Sequence, residues 1–263
     1  GPTHTNGIFN MHGRPVFDGP VSSRAPTINM WGGGPPTTDP VFNGGLQLGA
    51  DPIPFPGTPP NALIQAAGNG GESFTGDTQV TLLSNGTMRV TNSARRLNNQ
   101  VMPLPGNGAL YVSGGNLTLQ GTLNGQLTIG TDRDVRIANP VVYAADPVQN
   151  PNSDDLMGIV AGRNVVVTSQ APQNVRIDAA IMALSTSFMV ETWNQAPPRG
   201  ILTLYGGVIQ KHRGPVGTFD TNTGKRVTGY QKDYRYDTRL RAISPPFFPL
   251  TGAYEPVVWD ENR

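Results

Sequence analysis

The sequence predicts an all-β chain wound as a right-handed parallel β-solenoid, one domain over residues 1–263, with a β-sandwich as the alternative. Three observations carry this. The first is internal repetition: Pro15-Val16-Phe17-Asp18-Gly19-Pro20-Val21 returns 25 residues on as Pro40-Val41-Phe42-Asn43-Gly44-Gly45-Leu46. Asp134-Val135-Arg136-Ile137 returns 40 residues on as Asn174-Val175-Arg176-Ile177, and Gly115-Asn116-Leu117-Thr118-Leu119 has a looser counterpart in Arg163-Asn164-Val165-Val166-Val167. Units this small cannot bury an apolar face alone and complete a core only against their neighbours. The second is the three-residue tract with apolar positions two apart, as in Leu117-Thr118-Leu119, which sends both apolar side chains to one face. The third is punctuation: 33 Gly and 25 Pro fall between such tracts and read as turns.

The elements follow in chain order. Residues 3–210 are expected to form the coils. Ile8-Phe9, Val16-Phe17, Val41-Phe42 and Leu46-Gln47-Leu48 are short strands, one per side of a coil. A Pro-rich excursion covers 51–75. Within it Asn61 to Ala67 predicts one or two helical turns, with Asn61 as the N-cap and Gly68 as the stop. Asn85-Gly86 between Val80/Leu82 and Met88/Val90 is a hairpin signal. From Gly106 to Ala144 the tracts Leu110–Val112, Leu117–Leu119, Leu127–Ile129 and Val135–Ile137 are shorter than ordinary sandwich strands and favour the sides of a β-helix. Thr118 and Arg136 are expected to face solvent. Residues 211–241 lose this rhythm and are expected to leave the coil as a strap across its flank or end. Pro245-Pro246-Phe247-Phe248-Pro249 is expected to anchor the strap by burying two Phe rings, and Trp259 to do the same near the end.

Composition narrows the chemistry. The chain has no Cys, which excludes disulfides and thiol chemistry. No apolar run approaches 18 residues, so no segment reads as a membrane span. His4, His12 and His212 lack the spacing of a helical metal site. His4 and His12 lie near enough in sequence to share a site through a hairpin, against the simpler reading of two polar loop histidines. Asp132, Asp134, Asp154 and Asp155 are loop acids outside any calcium-binding repeat. Outward strand positions are mostly Thr, Gln, Arg or Met, so the paired acids of a polysaccharide-cleaving enzyme do not stand out. Gly32-Gly33-Gly34 runs into two prolines and is a turn, not a phosphate loop. No catalytic residue, metal or cofactor is expected.

Charge is distributed unevenly. Before Arg199 there are nine Lys/Arg against twelve Asp/Glu, and from Arg199 to Arg241 nine against three. Such asymmetry points to an anionic partner. The candidate nucleic-acid contacts are Lys211, Arg213, Lys225, Arg226, Tyr230, Lys232, Tyr234, Arg235, Arg239 and Arg241. In an extended strand Tyr230, Lys232, Tyr234 and Tyr236 share one face, an arrangement suited to stacking bases and pairing phosphates. The competing reading packs the tyrosines onto the solenoid and pairs the bases with Asp233 and Asp237.

At this segment the chain resembles a known family. Tyr205-Gly206-Gly207-Val208-Ile209-Gln210-Lys211-His212-Arg213-Gly214-Pro215-Val216-Gly217-Thr218, then Gly229-Tyr230-Gln231-Lys232-Asp233-Tyr234-Arg235-Tyr236-Asp237 and Pro245-Pro246-Phe247-Phe248-Pro249, look like the C-terminal signature of pilus-associated exported proteins. His4-Thr5-Asn6-Gly7, followed by Pro15 to Val21, is similar to that family's start. The family includes a competence minor pilin with a large β-solenoid inserted in its pilin domain. The resemblance implies a non-enzymatic display domain on a type IV pilus, outside the cell. Its partners would be DNA, bound without sequence specificity during natural transformation, and other pilins; a protein-docking or surface-adhesion module at the pilus tip is the alternative. Gly1-Pro2 reads as the remnant of a cleaved tag, with any membrane contact made through a pilin helix outside this piece.

Overall fold

Short tracts with a two-residue apolar period form strands throughout, and the chain is all-β, 47% strand and 6% helix. The computed structural model describes residues 1–56, 60–220, 223 and 225–250. Contacts group the described residues into two units, Gly1–Pro56 and the described part of Gly57–Pro249.

The first unit holds β1 (Thr3–Thr5), β2 (Phe9–Met11), β3 (Val16–Phe17), β4 (Val21–Ser23), β5 (Ile28–Met30), β6 (Val41–Phe42) and β7 (Leu46–Leu48). Every strand pairing in it is parallel: β1 with β4, β4 with β7, β2 with β5 and β3 with β6. The 25-residue repeat is the stack itself. Val16 pairs with Val41 and Phe17 with Phe42, whose rings stack at 5.4 Å. Asn43 Nδ2 donates to Asp18 Oδ1 at 2.8 Å. Gly44 lies so close to Gly19 that a Cβ there would overlap the Gly19 carbonyl. Each residue type of the repeat therefore meets its own copy.

The second unit begins with α1 (Asn61–Gly68), β8 (Glu72–Thr75), β9 (Thr78–Leu83), β10 (Thr87–Asn92), β11 (Leu97–Pro103), β12 (Ala109–Ser113), β13 (Leu117–Leu123), β14 (Gln126–Thr131) and β15 (Val135–Tyr143). It continues with β16 (Leu156–Ala161), β17 (Val165–Val167), β18 (Val175–Ala183), β19 (Phe188–Val190), β20 (Ile201–Gln210), β21 (Gly217–Phe219), β22 (Arg226–Gly229) and β23 (Gln231–Tyr236). Fourteen of these strands form one large curled sheet. Most pairs are parallel, but the sheet is mixed: β9, β10 and β11 run antiparallel, with Ser84-Asn85-Gly86 closing the expected hairpin. Gly86 supplies the positive φ of that three-residue loop.

Inward side chains line up in columns across the parallel pairs. Leu110, Ile129, Ile159, Ile181 and Val208 form one, and Val80, Leu119, Ile137, Val167 and Val190 another. Thr118 and Arg136 face outward as expected, between buried neighbours. The looser of the two downstream repeats is the structural one: Leu117 pairs with Val135 and Val135 with Val165. The closer match, Val135–Ile137 against Val175–Ile177, does not stack in register, because Ile177 pairs with Val141 instead.

Three expectations are corrected. Asn61 is the first helical residue, not the cap, which is Pro60 and offers no side-chain acceptor. The helix exists to cover apolar surface: Leu63, Ala66 and Ala67 pack with Ala109, Tyr111, Val160 and Met182 on the outer face of the sheet. Of the two anchoring rings only Phe248 is buried, in that same cluster, while Phe247 is exposed. The strap is, over Gln231–Tyr236, another strand laid parallel on Ile201–Gly206. Backbone pairing there outweighs the loss of the aliphatic pattern. Trp259 lies outside the described residues.

Candidate nucleic-acid interface

Two inward columns end in β23. Val175 and Leu202 lead to Lys232; Val141, Ile177 and Leu204 lead to Tyr234. The positions that would hold Leu or Val one rung earlier thus carry an ammonium and a phenol, each with an apolar stem and a polar tip. Tyr234 packs edge-on against Phe188 at 6.3 Å and remains 43% exposed. The Lys232 ammonium lies 5.8 Å from the Tyr234 ring centre. Although Lys232 keeps solvent contact, burial against this rung end, helped by the Arg213 charge, pushes its pKa down to about 8.

The other candidates separate into two groups. Tyr230 is buried; its hydroxyl donates to the Pro172 carbonyl and accepts from Arg199 Nη1, both at 2.6 Å, beneath the Arg199 guanidinium. Arg226 donates to the Gly200 carbonyl at 2.8 Å. Arg239 pairs with buried Asp237, donates to the Ser153 carbonyl and covers the Tyr143 ring. Arg235 is exposed but paired with Asp233. These four side chains are engaged within the fold, Arg235 and Arg239 by Asp233 and Asp237 and Arg226 by a backbone carbonyl.

Lys211, Arg213, Lys225 and Arg241 are exposed, and their side chains have no hydrogen-bond or ion-pair partner among the described residues. With Lys232 they form the available cationic set. Because Tyr230 is buried and Tyr236 half-buried, Tyr234 alone of the tyrosines sequence reasoning placed on one face is exposed enough to meet a base.

The histidines do not converge. His4 bonds Ser22 and Asn6, both at 2.8 Å, whereas His12 lies against Trp31. Among the described residues no group of three His, Asp or Glu is placed to hold a metal. Loop acids have a role that the sequence did not suggest: they staple the turns beside one strand to those beside its neighbour. Asp77 accepts from Asn116 N, Asp132 from Gly114 N, Asp134 from Asn164 N, and Asp155 from both Gly125 N and Ala145 N. The signal was their recurrence at Gly- and Asn-rich turns.

The outward Gln and Thr positions, read from sequence as plain solvent-facing residues, are gathered into a polar groove on the sheet. Among the described residues no helix is long and apolar enough to cross a membrane. The chain matches no family model, and no curated protein or solved structure is significantly similar to it.

Proposed function

We propose that this chain is a non-catalytic display domain, a right-handed parallel β-solenoid that offers a cationic end rung to DNA. The solenoid reading is supported by the parallel strand pairing found within each unit. Its hand follows from the right-handed crossover preference of parallel strands. The observation that carries the function is the division of the basic segment. Its acids neutralise Arg235 and Arg239, leaving Lys211, Arg213, Lys225 and Arg241 exposed and unpaired among the described residues, with Lys232 at the rung end. Unpaired exposed cations attract a polyanion without reading its sequence. With one exposed tyrosine, phosphate contact rather than base stacking dominates, so single strands gain little over duplex. The signature residues of the basic segment support placement of this domain outside the cell on a type IV pilus, as in the ComZ-type competence minor pilins, with other pilins as neighbours.

Filter binding across a salt series tests this. If about four phosphates are neutralised, log affinity falls against log salt with a slope near −3 to −4. Reversing Lys211, Arg213, Lys225 and Arg241 to Glu flattens that slope toward zero without unfolding the chain. A slope unchanged by the four reversals removes these four cations as the DNA contact.

A further inference from the structure

We infer that the polar groove on the outer face of the β9, β13 and β15 ladder is a binding site for a neutral polysaccharide strand. This inference is independent of the cationic rung end. The groove has a volume of about 410 Å³ and shares Thr81, Gln120 and Asn139 with a second hollow of about 330 Å³, so the two make a continuous trough. Both are open to solvent, the second as a shallow hollow, which suits an extended chain rather than an enclosed small ligand.

Its chemistry is that of a polyol acceptor. Part of the lining is held rigid: Gln120 Nε2 donates to Thr81 Oγ1 at 3.1 Å, and Asn139 Nδ2 donates to Gln120 Oε1 at 2.7 Å. The rest is available, since the side chains of Gln79, Thr118 and Gln170 line the groove with no hydrogen bond among the described residues. Amide and hydroxyl groups donate and accept at once, as sugar hydroxyls do.

The charges in the groove cancel. Glu191 accepts from Arg136 Nη2 at 2.9 Å and from Ser169 N at 2.8 Å, which leaves no unmatched cation for a polyanion. Glu191 is also the single carboxylate of the lining, whereas glycoside cleavage ordinarily takes two. The site therefore holds a chain without cutting it.

Thr168 sits at the floor of the groove. It is 4% exposed, and its hydroxyl has no partner among the described residues. Of the buried threonine hydroxyls without one among the described residues, Thr128, Thr168 and Thr192, only Thr168 lines the groove. Its oxygen is closed off from solvent, so a ligand bonds it only once neighbouring lining side chains shift aside. Rungs repeating every ~4.8 Å present these groups as a ladder, matching a polymer that offers hydroxyls at each ring.

The test is saturation-transfer NMR of the whole chain with neutral hexasaccharides of glucose, mannose and N-acetylglucosamine at roughly millimolar concentration. Hexagalacturonate and a short single-stranded DNA serve as anionic comparisons. At least one neutral hexasaccharide is expected to bind, about tenfold more weakly to Thr168→Val and to Gln170→Ala, and unchanged with Lys225→Glu. Thr168→Val keeps the shape of the side chain, and a thermal melt verifies its fold; if it unfolds, the exposed Gln79→Ala and Gln170→Ala decide. Binding by none of the neutral probes, equal binding by the groove variants, or tighter binding of hexagalacturonate or DNA at these residues would overturn the inference.

Discussion

Lys232 shows how one residue can serve packing and charge together. Its stem continues the column of Val175 and Leu202, and its ammonium ends that column in water. Burial and Arg213 lower its pKa from 10.5 to about 8, so the native state binds this proton less well than the unfolded chain does. Below pH 8 both states are charged and the native state carries the full penalty. Between about pH 8 and 10.5 the unfolded state holds more protons, and native stability rises with pH. Lys232→Met is therefore expected to be more stable than the parent at pH 7, by about 1 kcal/mol or less because solvent screens an exposed ammonium. The advantage should shrink as pH rises through 8 toward 10.5. Paired urea titrations at pH 7 and 10 check this; a constant difference would mean that the charge is not what the variant relieves.

At the scale of elements, the repeat and the turns explain each other. The 25-residue copy is faithful because Phe17 stacks on Phe42, Asp18 bonds Asn43 and Gly19 faces Gly44, so a change in one copy is felt by the other. Gly44→Ala would push a methyl into the Gly19 carbonyl and the following Pro20 nitrogen, which are backbone atoms with no rotamer to yield. We expect a loss of about 1–3 kcal/mol, read by urea denaturation. An unchanged midpoint would show that the two copies do not stack. Strands such as β13 and β15 were legible because Leu117, Leu119, Val135 and Ile137 keep the two-residue period. β23 was not, since Lys232 and Tyr234 stand where that period calls for aliphatic residues.

At the scale of the molecule, the described strands take stability from neighbours distant in sequence. Ile159 lies between Ile129 and Ile181 in an interior column and is fully buried. Ile159→Ala is expected to cost about 3–4 kcal/mol, because neither adjacent rung can collapse into the gap without breaking its own pairing. Phe247→Ala, at an exposed ring, should cost little. Comparable losses from the two, in thermal or urea melts, would mean that the columns are not the core.

The sequence by itself determined the class of this protein: all-β, short-stranded, punctuated by Gly and Pro, with a small helix after Pro60 and a hairpin at Asn85-Gly86. Those features come from local rules, the alternation of side chains along a strand and the conformations that Gly, Pro and Asn allow. Only the tertiary structure decided which cations are available and which are spent. Arg226 is indistinguishable in sequence from Lys211 and Arg213, and what separates it is the Gly200 carbonyl brought near by folding; Arg235 and Arg239 carry an acid two residues back, and the fold decides that each pair closes. The polar groove escaped notice for the same reason. Gln79, Arg136, Thr168 and Glu191 are far apart in the chain, and they become neighbours only because parallel pairing sets distant strands side by side.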